Sequence, residues 1–196
     1  PGNWGIVRGN GHVTFSGHGR FYKGIELMTD FLKRCWAVVD LDAIAHNFQQ
    51  VRRRLAPTCL VMAVVKADAY SHGDRYVAGE LARQGANWFG VSNIDEAISL
   101  RRQGIYQPIL ILGSTPAENA ALLGRYAITQ TIFSAEYARE LQQQAALAGV
   151  TLDVHIKVDT GMSRLGFAAA EEDQVDAAAG GIAGVGGVEN LRAHGN

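Results

Sequence analysis

Two cysteines, four prolines and no long apolar run are what this 196-residue sequence has least of. Cys35 and Cys59 are too few for a disulfide framework or a four-ligand zinc site, and a reducing cytoplasm is the simplest setting for them. Crossing a bilayer takes roughly 20 apolar residues in succession, which no stretch approaches. The opening PGNWGIVRGNGHVTFSGHGR lacks the apolar core of a secretory signal. Charge of one sign is missing too: 18 Lys+Arg against 19 Asp+Glu leaves −1. No basic face for nucleic acid or for an anionic membrane is therefore expected. No GxGxxG follows a strand-like run, no GxxxxGK[ST] occurs, and no G-x-S-x-G elbow is present. Six histidines, at 12, 18, 46, 72, 155 and 194, show no H-x₃-H spacing, so no helical metal pair is expected.

What is present is globular composition, 47% hydrophobic and 19% charged. The 23 glycines are unevenly spread, with dense clusters near both ends. Between about Cys35 and Phe167, short β-branched runs alternate with longer amphipathic segments. WAVVDL (36–41) is followed by Asp42 as N-cap and a helix over 43–56, whose apolar stripe is Ile44, Phe48, Val51 and Leu55. CLVMAVVK (59–66) reads as a buried strand, apolar on both faces. Helices near 74–84, 93–103, 116–124 and 135–148 then separate the strands WFGVS (88–92), PILILGS (108–114), AITQTIF (127–133) and LDVHIKVD (152–159). Glycines 85, 104, 124 and 149 fall where helices end. Serial βα units imply a parallel α/β sheet, and the even spacing favours a TIM-type (β/α)₈ barrel, here about five to six units, over a doubly wound sheet. Residues 168–196 form an atypical Gly/Ala-rich tail, and VENLRAHGN (188–196) makes a poor sixth strand.

In a barrel, chemistry belongs at the carboxyl ends of strands. The first such end is VVKADAYSHGD (64–74). Lys66 follows an apolar run, where desolvation disfavours the ammonium and suits a nucleophilic amine; a snorkelling lysine is the plain alternative. Tyr70 offers a phenol to a phosphate or carboxylate, and His72 alone reads as an ordinary loop histidine. A second end is HIKVDTGMSRLGF (155–167), where alternation puts His155, Lys157 and Asp159 on one face. Arg164 follows on a glycine-containing loop with its fork of donors. The alternative there is that Lys157 and Asp159 pair with each other and Arg164 is a surface residue.

WAVVDLDAIAHN (36–47), VKADAYSHG (65–73) and HIKVDTGMSRLGF (155–167), in this order, resemble alanine racemase. That family consists of pyridoxal 5'-phosphate enzymes of fold type III, a barrel followed by a C-terminal β-domain. The resemblance implies an isomerase that interconverts L- and D-alanine through a cofactor aldimine and a carbanion, supplying D-alanine for peptidoglycan precursors in the cytoplasm. It makes Lys66 the Schiff-base lysine and the base on one face, Tyr70 a cofactor-phosphate ligand, and Arg164 the partner of the cofactor's phenolic oxygen and the substrate carboxylate. Lys157 matches a lysine that is often carbamylated in the family. His194 stands at the right distance for a histidine near the cofactor, although Asn-Leu-Arg replaces the usual apolar strand before it. No metal site is implied. Ser71 and Ser163 stand where glycine is usual, which suits serine only if the backbone there does not need positive φ.

The family's second base, a tyrosine given by the partner subunit of a homodimer, has no counterpart in this sequence. The arginine facing the pyridine nitrogen, strands seven and eight and the β-domain also lack counterparts. The chain is accordingly expected to be an N-terminal portion: an extension over 1–34 (1–27 an artefact of the gene boundary) and an incomplete cofactor-binding barrel over 35–196. Alone, such a barrel is expected to be inactive and to associate or stay molten, because its open edges are unpaired. Two other readings keep the fold: a non-catalytic barrel of the pyridoxal-phosphate homeostasis type, and a serine racemase of the same family. No nucleic acid or membrane partner is expected.

Overall fold

The computed structural model describes the backbone of residues 4–8, 12–15, 21–23 and 191–193, and the chain from 37 to 168. It divides into two compact units, Pro1–Asn87 and Trp88–Asn196. In the first unit, β1 (Trp4–Arg8), β2 (His12–Phe15), β3 (Phe21–Lys23) and β4 (Ala37–Asp40) form one sheet in the order β3-β2-β1-β4. β4 runs parallel to β1, with Val39 beside Ile6. The segment read as an extension thus contributes strands to this sheet.

Asp40, not Asp42, caps the first helix. Its Oδ1 accepts from the amides of Asp42 and Ala43 at 2.9 and 3.1 Å, so α1 spans Leu41–Arg52 rather than 43–56. An N-cap must sit one residue outside the helix with extended backbone, and Asp40 at φ −91°, ψ 105° does so. The apolar stripe on α1 is only partly covered: Ile44 and Phe48 are half-buried, whereas Val51 and Leu55 are exposed. β5 is shorter than expected, Met62–Val64, with Ala63 buried and Val64 exposed. It leads into a six-residue turn, α2 (Lys66–Ser71), and then α3 (Asp74–Arg83). Glu80 of α3 is buried, pairs with Arg83 and accepts from Gln84 Nε2 at 2.9 Å. Gln49 of α1 in turn donates to Gln84, which locks the two helices together.

The second unit is α/β, an incomplete (β/α) barrel. Its strands β6 (Trp88–Val91), β7 (Ile109–Ile111), β8 (Ile128–Ile132), β9 (Leu152–Ile156) and β12 (Leu191–Ala193) form a parallel sheet in that order. Neighbours in the sheet follow the order of the chain, as a barrel wall requires and a reversing doubly wound sheet does not. The segment with a poor strand pattern forms β12 all the same, because pairing with β9 overrides local propensity. Helices α4 (Ile94–Arg102), α5 (Ala120–Arg125) and α6 (Ala135–Ala148) link successive strands. Phe89, Val91, Ile109, Ile111, Ile128, Ile132, Leu152 and Val154 are buried, as are Leu100, Leu123 and Leu141 of the helices. Each such side chain contributes roughly 1.5–3 kcal/mol through removal from water.

Gly85, Gly104 and Gly149 have positive φ, as expected at helix ends. Gly124 differs: it lies inside α5, where a Cβ would meet Val150 at 2.9 Å. It is there for close packing, and Ala127 at φ 48° takes the positive-φ position instead.

Arg101 ties the turn after α4 to the turn after α5. Its guanidinium donates to the carbonyls of Tyr126, Ile105, Gln107 and Ala127 at 2.7–2.8 Å. These oxygens lie in turns with no ladder to join, and a fork of five donors can satisfy all four. Bonds to a charged group are worth roughly 1.5–3 kcal/mol each, and bare carbonyls cost about as much, but loss is shared where water can enter. Arg101→Met should lower the unfolding free energy in urea by about 3 kcal/mol, and Arg101→Lys, with fewer donors and no fork, should recover less than half of that.

Candidate active site

The first group of site residues sits directly after β5. Val65 is buried, Lys66 is half-buried, and the chain then turns with the opposite hand to an ordinary helix. Ala67, Asp68, Ala69, Tyr70 and Ser71 have φ of 51, 54, 52, 54 and 64°. Five consecutive left-handed residues without a glycine are costly, at roughly 1–2 kcal/mol each, because Cβ crowds the following carbonyl. Strain on that scale persists only where surrounding bonds dictate it, and it concentrates at functional sites. Here the amide of Ala69 donates to Val65 O at 2.9 Å and that of Gly73 to Asp68 O at 3.0 Å. Asp68 Oδ1 accepts from the amide of Asp74 at 2.8 Å, which ties the end of the turn to the start of α3. His72 Nδ1 lies 3.0 Å from Ala69 O and 2.9 Å from Tyr70 O.

This turn brings Lys66 and Tyr70 together, with Nζ 5.9 Å from the centre of the phenol ring. Residues four apart share a face of a helical turn, so the pairing follows from the local geometry. Tyr70 as a whole is 55% exposed. Among the described residues, the one ion pair is Arg83 with Glu80, and none of them gives Lys66 a carboxylate partner. A half-buried amine with no carboxylate partner among the described residues, beside an exposed tyrosine, suits a ligand that brings its own carbonyl and its own negative charge.

The second group follows β9. His155 lies against Trp88 with ring centroids 5.1 Å apart, and Lys157 is half-buried. Val158–Asp159 (β10) pairs in parallel with Phe167–Ala168 (β11), closing a loop that carries Arg164. Gly166 makes the closure possible, because a Cβ there would meet Lys157 O at 2.8 Å and Asp159 N at 2.9 Å. Asp159 does not pair with Lys157. Its Oδ1 instead accepts from the amides of Gly161 and Ser163, both at 3.0 Å. These backbone bonds, Gly161 first, hold the carboxyl below the usual range, with Lys157 a minor contributor. Arg164 is exposed on the loop so formed, its guanidinium available to a carboxylate or phenolate. His194 lies outside the described residues, as does the Gly/Ala-rich stretch from 169 to 190.

Residues 39–191 match the alanine racemase N-terminal domain. The chain belongs to the alanine racemase family. It is 43% identical over 168 residues to the alanine racemase of Desulfovibrio desulfuricans, across 86% of this chain and 44% of that protein. An alanine racemase structure from Clostridium difficile 630 superposes with a TM-score of 0.70 at 27% identity, covering 98% of this chain and 41% of that one. A histidine racemase from Leuconostoc mesenteroides also superposes at 0.70, with 33% identity over 77% of this chain and 39% of that one. The chain therefore spans about two fifths of the length of its racemase relatives.

Ser71 and Ser163 answer the question raised by the usual glycines of the family. Both have positive φ, 64° and 56°, so both serines are strained. The motif reading passed over Asp68, which ties the turn to the first residue of α3, and it assigned no such role to Asp159 and His72, which bond the backbone of the two loops. Local side-chain-to-backbone spacing was the signal available for them: aspartate two and four residues ahead of turn amides, and histidine just after a turn.

Ser71→Gly should raise the unfolding free energy by about 0.5–1 kcal/mol, the relief of left-handed strain less the added freedom of the unfolded chain, whereas Ser71→Ala should give no gain. The depressed Asp159 carboxyl has a defined sign. Its support for the loop is complete above the unfolded value of about 3.9 and is lost as pH falls through its lower folded value. In an NMR titration, the Gly161 and Ser163 amide shifts should move together with a midpoint below that of free aspartate, and Asp159→Asn should abolish the transition.

Proposed function

We propose that this chain is the cofactor-anchoring part of a pyridoxal 5'-phosphate-dependent amino-acid racemase acting on alanine. The observation that carries the reading is the Lys66–Tyr70 pair on a strained left-handed turn, in a chain of the alanine racemase family. When bound, pyridoxal phosphate withdraws electrons from the amino acid and makes its Cα–H acidic. Lys66 would supply the amine that holds the cofactor aldehyde and a base that takes or returns the proton at Cα. Its half-buried position beside Tyr70 supports that role, since a Schiff-base amine must be held in place and still reach the cofactor aldehyde. Tyr70 donates its hydroxyl to a phosphate oxygen. Arg164 places its planar fork against the phenolic oxygen and the substrate carboxylate, on a loop that Asp159 keeps in shape. Lys157 precedes this loop, and carbamylation would convert it to an anion able to orient Arg164. His194 would lie near the cofactor.

Racemisation needs a base on each face of the planar carbon, and Lys66 serves one. The other belongs to a region beyond this chain, in a homodimer of the full-length enzyme operating in the cytoplasm. Substrate choice is the open variable of the family, since the histidine racemase superposes as closely as the alanine enzyme. Alanine is favoured by the names of the sequence relatives. Serine and a non-catalytic cofactor-carrying role are the alternatives.

Full-length protein carrying this domain, incubated with pyridoxal phosphate and reduced with borohydride, should retain label on the peptide containing Lys66. Lys66→Ala should lose the label and cut alanine racemisation by at least about 10³-fold, in the upper range for a general base. Faster turnover of serine or histidine than of alanine would shift the substrate assignment. Labelling elsewhere, or undiminished activity without Lys66, would overturn the reading.

A further inference from the structure

We propose that His72 is a positioning residue whose Nδ1–H holds the left-handed turn in the hand that pairs Lys66 with Tyr70. The assignment of the hydrogen follows from what faces it. Ala69 O at 3.0 Å and Tyr70 O at 2.9 Å are both acceptors, so a lone pair on Nδ1 would face two others and only an N–H fits. The ring is therefore fixed as the Nδ1–H tautomer when neutral, with Nε2 turned away from the turn.

The bond matters because of where the strain lies. Ala67 to Ser71 are all left-handed, and apart from Asp68, a type that visits that region, their side chains do not favour it: two alanines, a tyrosine and a serine. A chain of this composition prefers the right-handed turn. The backbone contributes its own bonds, from Ala69 to Val65, His72 to Ala69 and Gly73 to Asp68. At the far end, Asp68 Oδ1 fastens Asp74, and the imidazole fastens the carbonyls of Ala69 and Tyr70. Those two carbonyls belong to the peptide units on either side of the Tyr70 Cα, and so lie in the stretch of peptide that sets the direction of its side chain. Loss of the imidazole would release that peptide and with it the phenol that stands 5.9 Å from Lys66 Nζ. His72 need not touch cofactor or substrate to act in this way.

The consequence for cofactor binding rests on the function proposed above, while the consequence for the turn does not. In the cofactor-free full chain, amide exchange across 67–73 should speed up by about 10-fold in His72→Ala, the ratio for loss of one ordinary hydrogen bond. In His72→Asn the side-chain NH₂ occupies nearly the position of Nδ1–H, and exchange should stay within about 3-fold of the parent. His72→Gln carries its donor one bond further and should behave like alanine. Pyridoxal phosphate affinity should follow the same order, with the dissociation constant about 10-fold weaker in the alanine and glutamine variants. If alanine fails to fold, the asparagine–glutamine contrast decides. Equal exchange and equal affinity in all variants would overturn the proposal, as would an asparagine variant as impaired as glutamine. A parent chain that does not bind pyridoxal phosphate, yet shows the expected exchange order, would overturn the proposed function and leave His72 as the keeper of the turn.

Discussion

Backbone polar groups that leave a sheet or helix must still find partners, and in this chain that requirement shapes every functional segment. Where a parallel strand ends, the ladder stops, but the amides and carbonyls continue. His72 and Asp68 take up those groups after β5, Asp159 takes them after β9, and Arg101 takes four carbonyls in the turns of the second unit. Each does so with a polar side chain whose shape matches the geometry: a ring N–H between two oxygens, a carboxylate among amides, a guanidinium across four carbonyls. The loops that carry Lys66, Tyr70 and Arg164 are specific conformations because these bonds make them so.

This division of labour fits the light tethering of the residues proposed to hold the cofactor. Lys66 has no carboxylate partner among the described residues, Tyr70 is largely open, and Arg164 is exposed. Residues that must meet a ligand cannot also be saturated by the protein. The cost of holding them in place is carried instead by neighbours that never meet it, and by a backbone strained over five residues. Ser71 is one of those five and Ser163 adds a further positive-φ position, both where glycine is the usual residue by resemblance to the family.

Much of the fold was legible from periodicity. The helices over 74–84, 93–103 and 135–148 and the strands around 88–92, 108–114, 127–133 and 152–156 appear close to where the pattern puts them, since burial against a parallel sheet demands long apolar stripes and short β-branched runs. Boundaries were less legible. Asp42 looked like the cap of α1, but Asp40 does the capping, because the side chain that meets the first free amides is decided by where the chain leaves β4. Gly124 looked like a helix end and proved to be a contact with Val150, which no local pattern encodes. Val51 and Leu55 keep helical spacing and yet stay exposed.

The site divides along the same line. The identities of Lys66, Tyr70, Lys157 and Arg164, and the family they indicate, were contained in two short motifs, because chemistry depends on residue type and order. The left hand of the turn at 67–71, the imidazole bond across it and the cradling of Asp159 by Gly161 and Ser163 were decided only by the tertiary structure. A run such as KADAYS has the local propensity of a right-handed helix. Only the emergence from β5 on one side and the hydrogen bonds to His72, Gly73 and Asp74 on the other tip it into the costlier hand.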